Sequence, residues 1–216
     1  MKKYLSLILK DLVIMKNNLL FTALIIVGIP LLFLTMAPMG TGLAAFSMTY
    51  ILALYMTVQS LAYYESKYRK ADTVLNAAPY SRQAIVISRY IFSFLIYIVS
   101  LLVYVILSLA IPYLETLTIA EALIALFIGS LMMGVLQPLT YRFGIEKTRY
   151  INMVVMVGVG VGFPYLIKAV AGGNVNFDFI NSISPELISI LTLLLSISIL
   201  VVSAIISIEV YKKKEF

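Results

Sequence analysis

The stretch Tyr63–Tyr90, YYESKYRKADTVLNAAPYSRQAIVISRY, is the longest polar interruption in an otherwise apolar chain. It carries five of the sixteen basic residues (Lys67, Arg69, Lys70, Arg82, Arg89) and two of the ten acids, Glu65 and Asp72. Read as a helix, its first half is amphipathic. Tyr64, Tyr68, Ala71, Leu75 and Ala78 fall on one face at i, i+4, i+7 spacing. Glu65, Arg69, Asp72 and Asn76 form the opposite stripe, and Glu65 precedes Arg69 by four residues, the favourable order for a helical ion pair. Pro79 lacks a backbone donor and drives Ala78 out of helical geometry, so this helix stops there. Ser81 is suited to N-cap a new helix. The pattern predicts a short surface helix, a turn, and a long helix entering a membrane.

Outward from this stretch the composition sets the solvent. The chain has 216 residues, 62% hydrophobic and 12% charged, with mean hydropathy +1.04. Water does not tolerate that much apolar surface on a domain of this size, whereas a bilayer accepts it. The expectation is an all-α, polytopic membrane protein forming a single transmembrane domain over residues 1–216. Six spans are expected, near 19–37, 42–62, 84–112, 117–140, 150–171 and 187–211. Each approaches or exceeds the roughly 20 residues that cross about 30 Å of hydrocarbon. Pro30 should kink the first span, and Pro138 falls near the end of the fourth.

Charge placement orients the spans. Fifteen of the sixteen basic residues fall in the N-terminal lead-in, the 63–90 stretch, the segment after the fourth span and the C-terminus, leaving Lys168 on the other side. The positive-inside rule then makes both termini cytoplasmic. The net charge of +6 is thereby explained without nucleic acid. Residues 1–18 place Lys3, Ser6, Lys10 and Asn17 on one side and Leu5, Ile8, Leu9, Leu12 and Met15 on another. This segment reads as an interfacial helix or as a plain cytosolic lead-in.

Several chemistries lack their residues. Cysteine and histidine are absent, which removes disulfides, thiol catalysis, imidazole metal sites and a Ser–His protease. Glu65, Asp72 and Glu146 are scattered beside basic partners rather than clustered for a metal. No G-x-x-x-x-G-K-[ST] phosphate loop occurs, so ATP-driven work would need another chain. No charged residue falls in the middle of an expected span, and Arg89 is expected at the interface. Gln59 and Asn152 are expected to form helix–helix hydrogen bonds. Gly158 and Gly162, four apart, suit close helix packing or, with Pro164, a hinge; Ser203 and Ser207 repeat the spacing. The connection 168–186 reads either as an ordinary loop or as a re-entrant element at the outer mouth of a pathway.

Three segments carry a family resemblance: Lys10-Asp11 before the first span, Glu65–Asn76 with Ala78–Val86 and Ser88–Tyr90 after the second, and Pro138–Arg149 after the fourth. With them the chain resembles the permease subunits of bacterial ABC type-2 exporters, particularly the short permeases exporting phenol-soluble modulins or conferring resistance to antimicrobial peptides. The resemblance implies an elbow helix over 1–18 containing Lys3, Lys10 and Asp11. It implies a coupling helix over 64–78, with Tyr64, Glu65, Tyr68, Arg69, Asp72, Leu75 and Asn76 docking on a separate ABC ATPase. Pro79, Ser81 and Arg82 would form the turn and lever into the third span. ATP and Mg would bind the ATPase, leaving no cofactor and no catalytic residue in this chain. A second permease copy or a paralogue would complete a dimer in the bacterial cytoplasmic membrane, among its lipids. The cargo would be an amphipathic or hydrophobic peptide or drug. The competing reading is a non-transporting membrane immunity protein against a bacteriocin-like peptide, which would keep the spans but need no docking surface.

Overall fold

A computed structural model describes residues 2–36, 42–67, 81–171 and 184–213. Among them there are six helices and no strand: α1 (Lys2–Ile14), α2 (Lys16–Met36), α3 (Gly42–Lys67), α4 (Arg82–Ala110), α5 (Ile119–Ala171) and α6 (Pro185–Lys212). Four helical segments of α3 to α6 are long and apolar enough to cross a membrane among the described residues. A fifth is reached if α1 and α2, bent by 89° to one another, are counted together. Beyond residue 144 the α5 backbone is helical to Ala171, over the segment expected to be the fifth span.

The helices start and stop for local reasons. Ser81 caps α4: its backbone is extended (φ −69, ψ 144) and its side chain accepts from the Ala84 N–H at 3.2 Å. Pro185 sits in the first turn of α6, where its missing N–H costs nothing. At the start of α5, Glu121 reaches back to the Thr118 N–H and hydroxyl, both at 2.8 Å, and Thr118 Oγ1 accepts from Glu121 N–H, a reciprocal cap.

Two expected boundaries move. The helix carrying the second span does not stop at Ala62 but continues to Lys67, so Tyr64 and Glu65 belong to α3. Helix α5 passes through Pro138 and breaks instead at Gly144 (φ 72, ψ 176), a conformation open to glycine because it has no Cβ. Thr148 fastens this break, donating its hydroxyl to the carbonyls of Gly144 and Leu139.

Helix α3 is the most enclosed of the candidate spans, with 61% of its span window buried, and α6 is the most peripheral, with 11%. The main core is aromatic. Phe46 and Tyr50 of α3 meet Tyr97 and Tyr104 of α4 at ring separations of 5.1–6.0 Å, with Leu126, Met133 and Leu136 of α5 closing the cluster. The tyrosine hydroxyls are satisfied across helix ends: Tyr97 donates to Ala122 O (2.9 Å) and Tyr104 to Glu115 O (3.2 Å). Lipid tails are as apolar as leucine, so hydrophobicity does not drive one helix against another inside a bilayer; close packing and hydrogen bonds do. Gly129 provides that packing. A Cβ there would lie 2.2 Å from Tyr50 Cε1, so only glycine admits the ring.

Candidate functional site

One end of the bundle collects the basic residues. The start of α4 is joined to the end of α6 by Arg82, whose Nη1 donates to Lys212 O at 2.8 Å. A cation on a terminal carbonyl also opposes the negative end of the α6 dipole. Tyr141 of α5 packs edge-on against Tyr211 of α6 at 5.1 Å, and Leu7 of α1 covers Ala84, Ile85 and Val86 of α4. Arg142, Lys212 and Lys213 are exposed around this cluster. Glu115 and Glu121 lie at the opposite end, in the connection between α4 and α5 and in the first turn of α5, and Glu186 joins them in the first turn of α6. The separation of basic from acidic ends agrees with the charge pattern along the sequence.

The residues singled out for docking divide between the described and undescribed parts. Tyr68, Arg69, Asp72, Leu75, Asn76 and Pro79 lie outside the described residues. Tyr64 stands at the end of α3 with its ring 5.6 Å from that of Tyr63, and Glu65 follows it on the same helix. Ser81 and Arg82 stand at the start of α4, on the far side of the connection. That connection therefore leaves from α3 and returns to α4, and its return lies at the basic end.

Helix α1 holds Lys3, Lys10 and Asp11. Asp11 is 1% exposed and pairs with Lys10, Nζ to Oδ1, at 3.0 Å. Its buried neighbours Leu7, Ile8 and Met15 set the inner face of the segment, while Leu5, Leu9 and Val13 are exposed. The apolar residues expected to share one face thus divide between the bundle and its outside.

Sequence reasoning missed two features. The first is the enclosure of Arg89, whose side chain is 7% exposed and lies beside Thr57, Leu61, Ser93 and Gln137 between α3, α4 and α5. A charge enclosed in a transmembrane bundle carries a high desolvation cost, and polar neighbours offset part of it. The second feature is a hydroxyl network. Tyr90 of α4 lies 2.6 Å from Ser203 and 2.8 Å from Ser207 of α6, and Ser203 donates to Gly134 O of α5 at 3.1 Å. Ser203 spends its proton on Gly134, so Tyr90 donates to Ser203 and Ser207 donates to Tyr90. The Ser203–Ser207 spacing was visible in the sequence; the tyrosine that reads it, more than a hundred residues away, was not.

Of the two polar residues expected to bond between helices, Gln59 differs, and the side chain of Asn152 lies outside the described residues. The Gln59 amide nitrogen is buried with no hydrogen-bond partner among the described residues. Within α5, Gln137 donates to the Tyr141 hydroxyl four residues on, at 3.2 Å. Among the described residues, nothing outside its own stretch of helix lies within 4 Å of where a Gly158 Cβ would stand, while Gly129 and Gly134 make close helix contacts. The backbone of Gly162 is helical.

The chain matches the ABC-2 family transporter protein profile over residues 6–212, nearly its whole length. It belongs to the ABC-2 transporter family. No curated protein and no solved structure matches it. Membership in this family makes the chain a transporter permease, and such a permease works with an ABC ATPase. The apolar helices agree with a multi-pass membrane protein.

Proposed function

We infer that this ABC-2 permease is the membrane-spanning half of an exporter that moves amphipathic or hydrophobic cargo, peptides or drugs, out of a bacterial cell. The observation that carries this reading is the family match over residues 6–212, joined to a basic end where α3, α4 and α6 terminate. Six spans, with α5 beyond residue 144 contributing one, put both termini in the cytoplasm. Helix α1, with Leu5, Leu9 and Val13 exposed, lies along the interface as an elbow. The segment 64–78 docks on a separate ATPase, which binds ATP and Mg; this chain carries no ATPase site. Two permeases, identical or paralogous, enclose the pathway in the cytoplasmic membrane.

The mechanism requires a difference in ATPase contact between two states of the permease. Closure of the ATPase pair displaces the docked segment, and Ser81–Arg82 pass the displacement into α4. Arg82 also ties α4 to the end of α6, so the two helices respond together.

Gentle-detergent purification of tagged protein from its native host tests this directly. An ATPase recovered at one copy per permease supports the reading. A permease that emerges alone, from cells expressing the ATPase, favours the immunity-type alternative. A variant combining Glu65→Ala, Tyr68→Asp and Arg69→Ala should still reach the membrane but lose transport coupled to ATP hydrolysis. Unchanged transport would count against the docking assignment.

A further inference from the structure

We propose that the furrow between α5 and α6 is a binding site for one anionic phospholipid, its phosphate held at the basic end and an acyl chain lying along the helices. The site has two parts on the same helix pair. A cleft of about 440 Å³ is lined by Tyr141, Arg142, Val210 and Lys213. Its described lining presents two cations, a phenol and no carboxylate. Further along, a groove of about 340 Å³ is lined by Leu131, Gly134, Val135, Val202 and Ile206, among others. Leu131, Val135, Val202 and Ile206 each leave two-fifths or more of their surface uncovered by the chain.

Charge and length select the occupant. From Arg142 back to Leu131 is eleven residues, about 16 Å along a helix, on the scale of an acyl chain within one leaflet. Basic pockets between membrane helices on the positive side attract acidic headgroups, and Arg142 offers a planar fork that matches phosphate oxygens. Arg142 also lies over the Phe143 ring at 5.3 Å, a cation–π contact that steadies the guanidinium beside the cleft. Gly134 deepens the groove because a side chain there would press on Ile199 at 3.0 Å. A zwitterionic lipid would satisfy the apolar part but bring a third cation to the cleft. A soluble phosphate would satisfy the cleft and leave the groove uncovered. This site stands independently of ATPase docking.

The experiment measures lipid retention. Full-length protein is equilibrated in mixed micelles holding equal amounts of phosphatidylglycerol and phosphatidylcholine, then washed and analysed by native mass spectrometry. Wild type should retain phosphatidylglycerol several-fold over phosphatidylcholine. The double variant Arg142→Gln, Lys213→Gln should bring the ratio near one, while Lys16→Gln, an exposed charge outside the cleft, should leave it unchanged. Ile206→Trp should reduce retention of both lipids by filling the groove. Equal retention by wild type overturns the proposal, as does a preference that survives the double variant. Loss as large in Lys16→Gln overturns it too, because that reports general surface charge, and undiminished retention in Ile206→Trp overturns the assignment of the acyl chain.

Discussion

Tyr90 joins three helices through one oxygen, with Ser203 and Ser207 of α6 on either side and Gly134 O of α5 beyond Ser203. Replacing it with phenylalanine keeps the ring and removes both interhelical bonds. Interhelical hydrogen bonds in membranes average about 0.6 kcal/mol and reach about 1.7. Tyr90→Phe should therefore cost about 1 kcal/mol, read as a lower thermal midpoint in detergent. Ser203→Ala should cost a similar amount, and the double variant should cost less than the sum because both changes break the same network. A fully additive pair would mean the hydroxyls act separately. At this scale the sequence was legible where a residue's partner is local. Ser81 caps α4 because capping depends on the next three residues. It was illegible where the partner is distant, as with Tyr90, or where burial decides the role, as with Asp11 and Arg89.

Among the elements, α5 departs most from what periodicity suggested. The run from Tyr141 to Arg149, after an expected span with Pro138 near its end, reads as a polar connection, yet helix persists on both sides of Gly144. Proline ends a helix only when its lost hydrogen bond and ring clash are not accommodated, and membrane helices accommodate both. Gly144→Ala should cost about 1–2 kcal/mol, since a Cβ at positive φ meets its own backbone. The expected result is a lower melting temperature; an unchanged one would show that the break relaxes without strain. Gly129→Ala is predicted to be at least as damaging, about 1–3 kcal/mol, because the Tyr50 ring fills the space a methyl would take. Adding Tyr50→Leu should recover part of that loss. Gly129 was hidden from sequence reasoning because its contact is an aromatic ring on another helix, although Ala125 stands four positions before it.

For the whole molecule, apolar content fixed the class and basic residues fixed an axis, because both are sums over many positions and survive local errors. The exact span count was less legible, since helix boundaries at a bent pair or a glycine break depend on tertiary packing. The absence of cysteine makes the axis directly testable. Single Tyr113→Cys and Lys213→Cys variants give one thiol each, at the acidic and basic ends of the bundle. An impermeant maleimide applied to intact cells should label position 113 and spare position 213. The reverse pattern would invert the topology and remove the cytoplasmic docking surface with it.

Glu115 accepts the Gly42 N–H at 3.1 Å through its carboxylate, and its own carbonyl accepts the Tyr104 hydroxyl at 3.2 Å. The acidic end of the bundle is thus a clasp holding α3 and α4 where they meet the entry to α5. A clasp at one end of long rods is a fulcrum. With its 29 residues α4 is about 43 Å long, so a shift of about 5 Å at its Ser81 end is a tilt of about 7° around that point. A push delivered at the basic end would spread these helices like tongs, with small angles inside the aromatic core and the largest travel beside Arg82.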